Sequence, residues 1–207
     1  MLFLDFNRYR IIDISCTAQH SPEPLKPFVT EKSTLPDGTY AHRVTIGSHT
    51  GTHIEVGSHF YDHGESIEKY PLSSFIGRGI LINAEPGLLT ADFARKAIGH
   101  IIQPQDIIII RNTRPASGGK VYMTPESAGW FAEYRIKMLG IDGHASLGFS
   151  VEDARKVHDR ILCYGGVFLE GLHHLQDIRK ELFYVMAFPF KAQLDSSWTR
   201  AIIIEDL

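Results

Sequence analysis

Four consecutive isoleucines, Ile107-Ile108-Ile109-Ile110, limit the folds open to this chain more than any other feature. Successive side chains of a strand point to opposite faces, so an unbroken aliphatic run belongs in a sheet covered on both sides. Further strand candidates lie at 9–14, 40–46, 78–83, 138–142, 167–172, 183–188 and 198–205, and the isoleucine run extends to 106–111. Three helices carry start signals between them. Thr90 precedes Ala91-Asp92, with an acid in the first turn, and Thr124 stands before Pro125, a proline suited to the first helical position. Ser150-Val151-Glu152-Asp153 resembles a capping box and opens a helix that ends before Gly165-Gly166. Interleaved strands and helices, with extra strands at the ends, define an α/β domain with a mixed sheet.

With 207 residues, 43% hydrophobic and 22% charged, the chain suits one globular domain, residues 1–207. A net charge of -3 offers no attraction to polyphosphate, so nucleic acid is not an expected partner. No apolar run approaches the roughly 18 residues of a membrane span, and Met1-Leu2-Phe3-Leu4-Asp5 meets an acid before a signal-peptide core develops. Cys16 and Cys163 cannot make a disulfide framework. These features fit a soluble protein of a reducing cytoplasm, with no membrane partner. Residues 15–39 carry Pro22, Pro24, Pro27 and Pro36, which forbid helix and discourage sheet pairing. The stretch reads as a lid or substrate-facing arm.

Three of the 11 histidines and one carboxylate fall within His49-Thr50-Gly51-Thr52-His53-Ile54-Glu55-Val56-Gly57-Ser58-His59. Gly47, Gly51 and Gly57 argue against a helix. A turn followed by an extended segment puts His53, Glu55, Gly57 and His59 on one side, with Ile54 and Val56 toward the core. His49 joins them if the turn folds back. Imidazole and carboxylate suit zinc, and also manganese or ferrous iron. The residue types alone leave open a simpler role, as hydrogen-bonding histidines on a polar strand edge.

A second pair lies far along the chain. From His158 the helix climbs about 10 Å to Gly165, and the strand to Glu170 returns about 13 Å. Both side chains therefore reach nearly the same height on facing elements. Glu170 is flanked by Phe168, Leu169 and Leu172, where an acid needs a cation partner. That partner is a metal, or else Arg155 or Arg160.

The chain resembles the putative cyclase family, metal-dependent hydrolases that include bacterial kynurenine formamidase. The family pattern H-x-G-T-H-x-D-x-P-x-H-F reads here as residues 49–60. The resemblance continues through Ile11-Asp13-Ile14-Ser15, Pro71-Leu72, Ile76-Gly77, residues 106–113, Leu139-Gly140-Ile141-Asp142 with Ser146, and the closing strands. It implies a swivelling β/β/α-type fold, a mixed sheet flanked by helices, and a homodimer or homotetramer. It implies one or two divalent ions, Zn2+ or Mn2+, held by His49, His53, Glu55, His158 and Glu170. It also implies that His59 is the catalytic acid/base, acting on a small-molecule amide, formamide or cyclic amide. Glu55 stands where the family has Asp, and Gly57 where it has proline, which is expected to loosen the loop that aims His59. After Asp-Ile-Ser, the family's aromatic-containing pattern is replaced by Cys16-Thr17-Ala18-Gln19-His20.

Rival readings are a non-catalytic metal-binding or interaction protein of the same fold, and a metal-dependent lyase or dehydratase. A serine hydrolase fails at Gly143-His144-Ala145-Ser146, which lacks glycine two before the serine. A phosphate loop at Gly118-Gly119-Lys120 fails because Val121 follows the lysine. Cys163 reads as a small buried residue. His20 and His42 would face the site if the arm folds over it, whereas His63, His100, His173 and His174 read as solvated or capping.

Overall fold

The structure, a computed structural model, describes residues 6–207; the opening stretch 1–5 lies outside the described residues. β1 (Tyr9–Asp13) is followed by a ribbon of β2 (Phe28–Thr34) and β3 (Tyr40–Ile46), then the short β4 (His53–Glu55). β5 (Ile76–Ala84) and β6 (Gly87–Leu89) lead into α1 (Ala91–Ile98). Next come β7 (Ile107–Asn112), β8 (Val121–Met123), α2 (Pro125–Glu133), β9 (Met138–Asp142) and β10 (Ala145–Ser146). The chain closes with α3 (Val151–Leu162), β11 (Val167–Leu172), β12 (Leu182–Met186), β13 (Ser196–Trp198) and β14 (Ile202–Asp206). All three helices start at the expected caps: the hydroxyls of Thr90, Thr124 and Ser150 accept from the N–H groups of Phe93, Ser127 and Asp153. Among the described residues no helix is long and apolar enough to cross a membrane.

Nine strands form one mixed sheet in the order β1-β14-β12-β5-β7-β9-β11-β4-β13. β5, β7, β9 and β11 run parallel, and the flanking strands pair antiparallel. The isoleucine run is buried on both sides. Ile108 and Ile110 meet Phe131, Ile161 and Phe168 beneath the helices, while Ile107 and Ile109 meet Ile54, Phe75, Val185 and Ile203 in a second core. Burying each such side chain stabilises the fold by about 1.5–3 kcal/mol.

The second core gathers residues from nearly every strand of the sheet, because the sheet curls. β13 ends at Trp198 on one margin, and β14 begins at Ile202 next to the other margin. Four residues span at most about 14 Å, so the two margins must approach. A β/β/α layering results, as expected: sheet curled on sheet, then helices. The single strand expected over 198–205 is therefore two strands. The polar pair Thr199-Arg200 marks the break, where the chain changes pairing partners from β4 to β12 and β1.

The arm differs from expectation in the same way. Residues 28–34 pair in register with 40–46 as an antiparallel ribbon. The prolines lie before the strand (Pro22, Pro24, Pro27) and in the turn (Pro36-Asp37-Gly38), so the paired stretch itself contains none. Both strands of the ribbon are largely exposed.

One glycine controls how β11 ends beside the site. Gly171 has φ +68°, within a register shift between Leu169 and Leu172, and a Cβ there would strike the carbonyl of Gly51. Gly171→Ala is expected to cost about 1–2 kcal/mol from backbone conformation alone, more with the clash. At about 2–4 °C per kcal/mol for a chain of this size, the melting temperature should fall by at least several degrees. An unchanged melting temperature would show that the bulge relaxes freely.

Candidate metal centre

The centre is built on β4, whose three residues are held on both sides by β11 and β13. Ile54 points into the second core, so His53 and Glu55 face the helices. His53 lies opposite Glu170 on β11, which brings the two distant stretches together. Gly51, at φ +68°, turns the chain back so that His49 Nδ1 comes 2.6 Å from Glu55 Oε1. β13 pins this turn: the Ser196 hydroxyl donates to the Ser48 carbonyl (2.9 Å) and the Trp198 indole to the Gly47 carbonyl (2.7 Å).

His59 reaches the centre differently from expectation. The extended segment ends at Glu55, and Gly57–His59 form a 3-10 turn. Turn geometry, rather than strand alternation, therefore aims the imidazole. Gly57 is not a loosening point either. It is buried, and its N–H donates to the Tyr70 hydroxyl at 3.1 Å, a bond that proline could not make.

Two backbone carbonyls set the imidazole tautomers. His53 Nδ1–H donates to Gly51 (2.9 Å) and His158 Nδ1–H to Ala154 (2.6 Å). Carbonyls only accept, so the Nε2 atoms of neutral rings are left as free ligand nitrogens. These lie 3.3 Å from Glu55 Oε1 and 3.4 Å from Oε2. Phe60 stacks parallel on His158 at 5.9 Å and Phe168 sits 4.9 Å away, fixing that ring.

Glu55 is thus the hub. The His49/Glu55/His59 and His53/Glu55/Glu170 donor sets each lie within 4.8 Å, and both include Glu55. One oxygen faces His49 and His53, the other His158 and His59. The extra methylene relative to Asp therefore leaves both oxygens directed at different imidazoles. Burial opposes ionisation of Glu55, but contacts to His158, His49 and His53 hold its carboxyl far below the usual range. Burial and the neighbouring Glu55 charge push Glu170 up. For His49, burial favours the neutral ring, yet Glu55 and Asp195 push its pKa up to about 9. Burial likewise opposes the charge on His158, and Glu55 and the Ala154 carbonyl outweigh it.

All six residues singled out in the sequence converge. Glu55 and His53 are sealed (5% and 3% exposed side chains), whereas His59 opens to solvent at 34%. Arg155 lies over the Phe60 ring instead of pairing with Glu170. Cys163 is exposed at the end of α3, a correction to its expected burial: the helix stops there, and the side chain falls on the outer face. His20 and His42 are exposed on the arm. The arm's root nevertheless docks on the site, where the Pro27 carbonyl accepts from Gly47 N–H (3.0 Å) and the Thr50 hydroxyl (3.2 Å). Ser146 donates to the Gly148 carbonyl, and Asp142 accepts from the His144 N–H, so both fix a turn.

Sequence reasoning missed Asp195, which contacts both His49 and His59. It stands 136 residues from His59 in the chain, in a stretch that carries no spacing signal.

The fold and this cluster define a class: an α/β domain whose curled sheet presents a histidine–carboxylate set able to hold metal. The chain belongs to the putative cyclase family, whose profile matches residues 12–146. That span includes the 49–59 segment and ends before His158 and Glu170. Among solved structures, isatin hydrolase A from Labrenzia aggregata, bound to benzyl benzoate, superposes with a TM-score of 0.81 at 17% identity, covering 99% of this chain and 96% of that one. Isatin hydrolase A from Ralstonia solanacearum gives 0.79 at 18% identity, covering 98% and 94%. A potential metal-dependent hydrolase with cyclase activity gives 0.76 at 20%, covering 96% and 99%. At these identities the likeness is one of fold.

Proposed function

We propose that this protein is a metal-dependent hydrolase that cleaves an amide-type C–N bond in a formamide, small amide or cyclic amide. The observation that carries this reading is the state of Glu55. Its Oε2 is buried without a hydrogen bond among the described residues, four imidazoles surround the carboxylate, and a second acid stands beside it. An orphaned carboxylate oxygen of this kind is costly unless a cation completes it. The donor set therefore fits a divalent ion held by His49, His53, Glu55, His158 and Glu170. Zinc suits the imidazole-rich composition, and manganese is the alternative that the two carboxylates favour. When bound, such an ion supplies Lewis acidity and lowers the pKa of water from 15.7 to about 7.

The remaining chemistry belongs to His59. Its Nδ1–H is donated to Asp195, so its Nε2 is free on the open side, 3.9 Å from Glu55 Oε2. That nitrogen takes a proton from water as the oxygen attacks the carbonyl carbon. It then hands the proton to the departing nitrogen as the C–N bond breaks. His59→Asn is expected to retain metal and lose turnover by about 10²- to 10⁴-fold. Undiminished turnover would remove His59 from the chemistry.

We also propose assembly as a homodimer or homotetramer. A two-stranded ribbon is marginal alone in water, and β2–β3 needs a surface such as a second copy. Two free cysteines accord with a cytoplasmic location. The primary test is elemental analysis with the ion-to-chain ratio, followed by a hydrolysis screen of N-formyl aromatic amines and small cyclic amides with and without chelator. Chelator-sensitive cleavage supports the reading. Stable metal with no hydrolysis across amides and cyclic amides would favour a non-catalytic or lyase role.

A further inference from the structure

We infer that Asp195 is the positioning residue of this centre: a single oxygen, Oδ2, takes the outward ring N–H of both His49 and His59 and so aims their inner nitrogens at Glu55. The distances are 2.9 Å to His49 Nε2 and 3.0 Å to His59 Nδ1. A carboxylate only accepts, so each of those nitrogens carries its hydrogen. The opposite nitrogens, His49 Nδ1 and His59 Nε2, are the ones that face Glu55, at 2.6 and 3.9 Å. Each ring therefore stands between the two carboxylates. Asp195 lies behind the imidazoles and Glu55 in front of them, which makes Asp195 a support for the ligand set rather than a member of it.

Asp195 is itself well anchored. Its backbone carbonyl accepts from Val56 N–H at 3.0 Å, just beyond β4, and its Oδ1 accepts from the Ser48 hydroxyl at 3.4 Å. The preceding carbonyl, of Leu194, accepts from Ile67 N–H. Alanine or asparagine at 195 can keep the two backbone bonds, and the side chain is 36% exposed, so these variants are expected to retain the fold. One carboxylate thus couples two jobs, orienting a ligand and orienting the acid/base. Metal-ligating histidines commonly give their second N–H to such a partner, and its loss typically weakens metal binding by about 10–100-fold.

This inference rests on the hydrolase reading for the role of His59 but not for that of His49. Metal affinity is therefore measured first, without substrate, by competition with a chromophoric chelator for Zn2+ in wild type, Asp195→Ala and Asp195→Asn. Asp195→Ala is expected to bind the same number of ions about 10–100-fold more weakly. Asp195→Asn, which keeps one acceptor oxygen in place, should recover much of that loss. At saturating metal, kcat of Asp195→Ala should fall while KM stays within about twofold, the pattern of a group that acts on the transition state through His59. Wild-type metal affinity and kcat in Asp195→Ala would overturn the inference. A drop in ions per chain would do so too, by making Asp195 a ligand. If wild type binds metal but hydrolyses nothing, the hydrolase reading falls, and the affinity result still decides the inference for His49.

Discussion

Glu55→Gln should abolish stoichiometric uptake of divalent metal at micromolar concentrations and take turnover with it. Glutamine has nearly the same shape, so the ladder pairing of position 55 with Phe168 and Ser196 survives; what disappears is the charge that both donor sets share. Removing one partner from a buried ionic contact costs about 3–5 kcal/mol, and 1.4 kcal/mol is a factor of ten. Metal affinity should accordingly fall by roughly two to three and a half decades. Competition titration and elemental analysis after gel filtration would measure it. Glu55→Asp keeps the charge but withdraws it by one methylene from imidazoles now 2.6–3.4 Å away, so it should lose less. Metal binding within tenfold of wild type in Glu55→Gln would show that Glu55 is not the shared ligand.

Stripping the metal should produce a second large effect, one that grows with pH. His49 and His158 have raised pKa values in the metal-free protein. Their contribution to stability is full below the unfolded value of 6.5, and the His49 part is lost as pH rises through about 9. Glu55 is lowered, so its contribution is present above 4.5 and is lost as pH falls further. Glu170 is raised, so its ionisation works against the folded state as pH climbs above 4.5. The stripped protein should therefore be most stable between about 4.5 and 6.5 and weaken toward 9. A bound ion reverses the trend, because it requires a neutral His49 nitrogen and neutralises the two acids that lose their imidazolium partner. At a thousand times the dissociation constant, ligand stabilises by about 4 kcal/mol, or about 8–16 °C at this size. The melting-temperature gap between loaded and chelator-treated protein should be smallest near pH 6 and largest near pH 9. A gap that narrows with rising pH would contradict the assignment of His49 as a ligand.

Much of the architecture is local and was therefore legible. Thr90, Thr124 and Ser150 start their helices through hydroxyls that bond within the next three residues, information that the chain carries in each short window. The run Ile107–Ile110 required cover on both faces, and two cores provide it. Errors arose where a local average hid a boundary. Proline density over residues 15–39 obscured the proline-free strand at 28–34. Strand-forming residues on both sides of Thr199-Arg200 obscured a change of pairing partners. Strand alternation groups His59 with His53 and Glu55, yet the strand stops four residues before it, and a 3-10 turn brings the ring to the same side.

Residue chemistry and spacing alone grouped His49, His53, Glu55 and His59 as candidate ligands around one bend of the chain, because side-chain period and glycine placement are properties of a few adjacent residues. The helix–strand length balance also put His158 and Glu170 at one level. Only the tertiary structure decided that both groups close around Glu55, that its second oxygen faces His158 and His59 without a hydrogen bond, and that Asp195 stands behind two of the rings. Those facts depend on how the sheet curls and which margins meet, and curl is set by cooperative packing of two cores rather than by any stretch of chain.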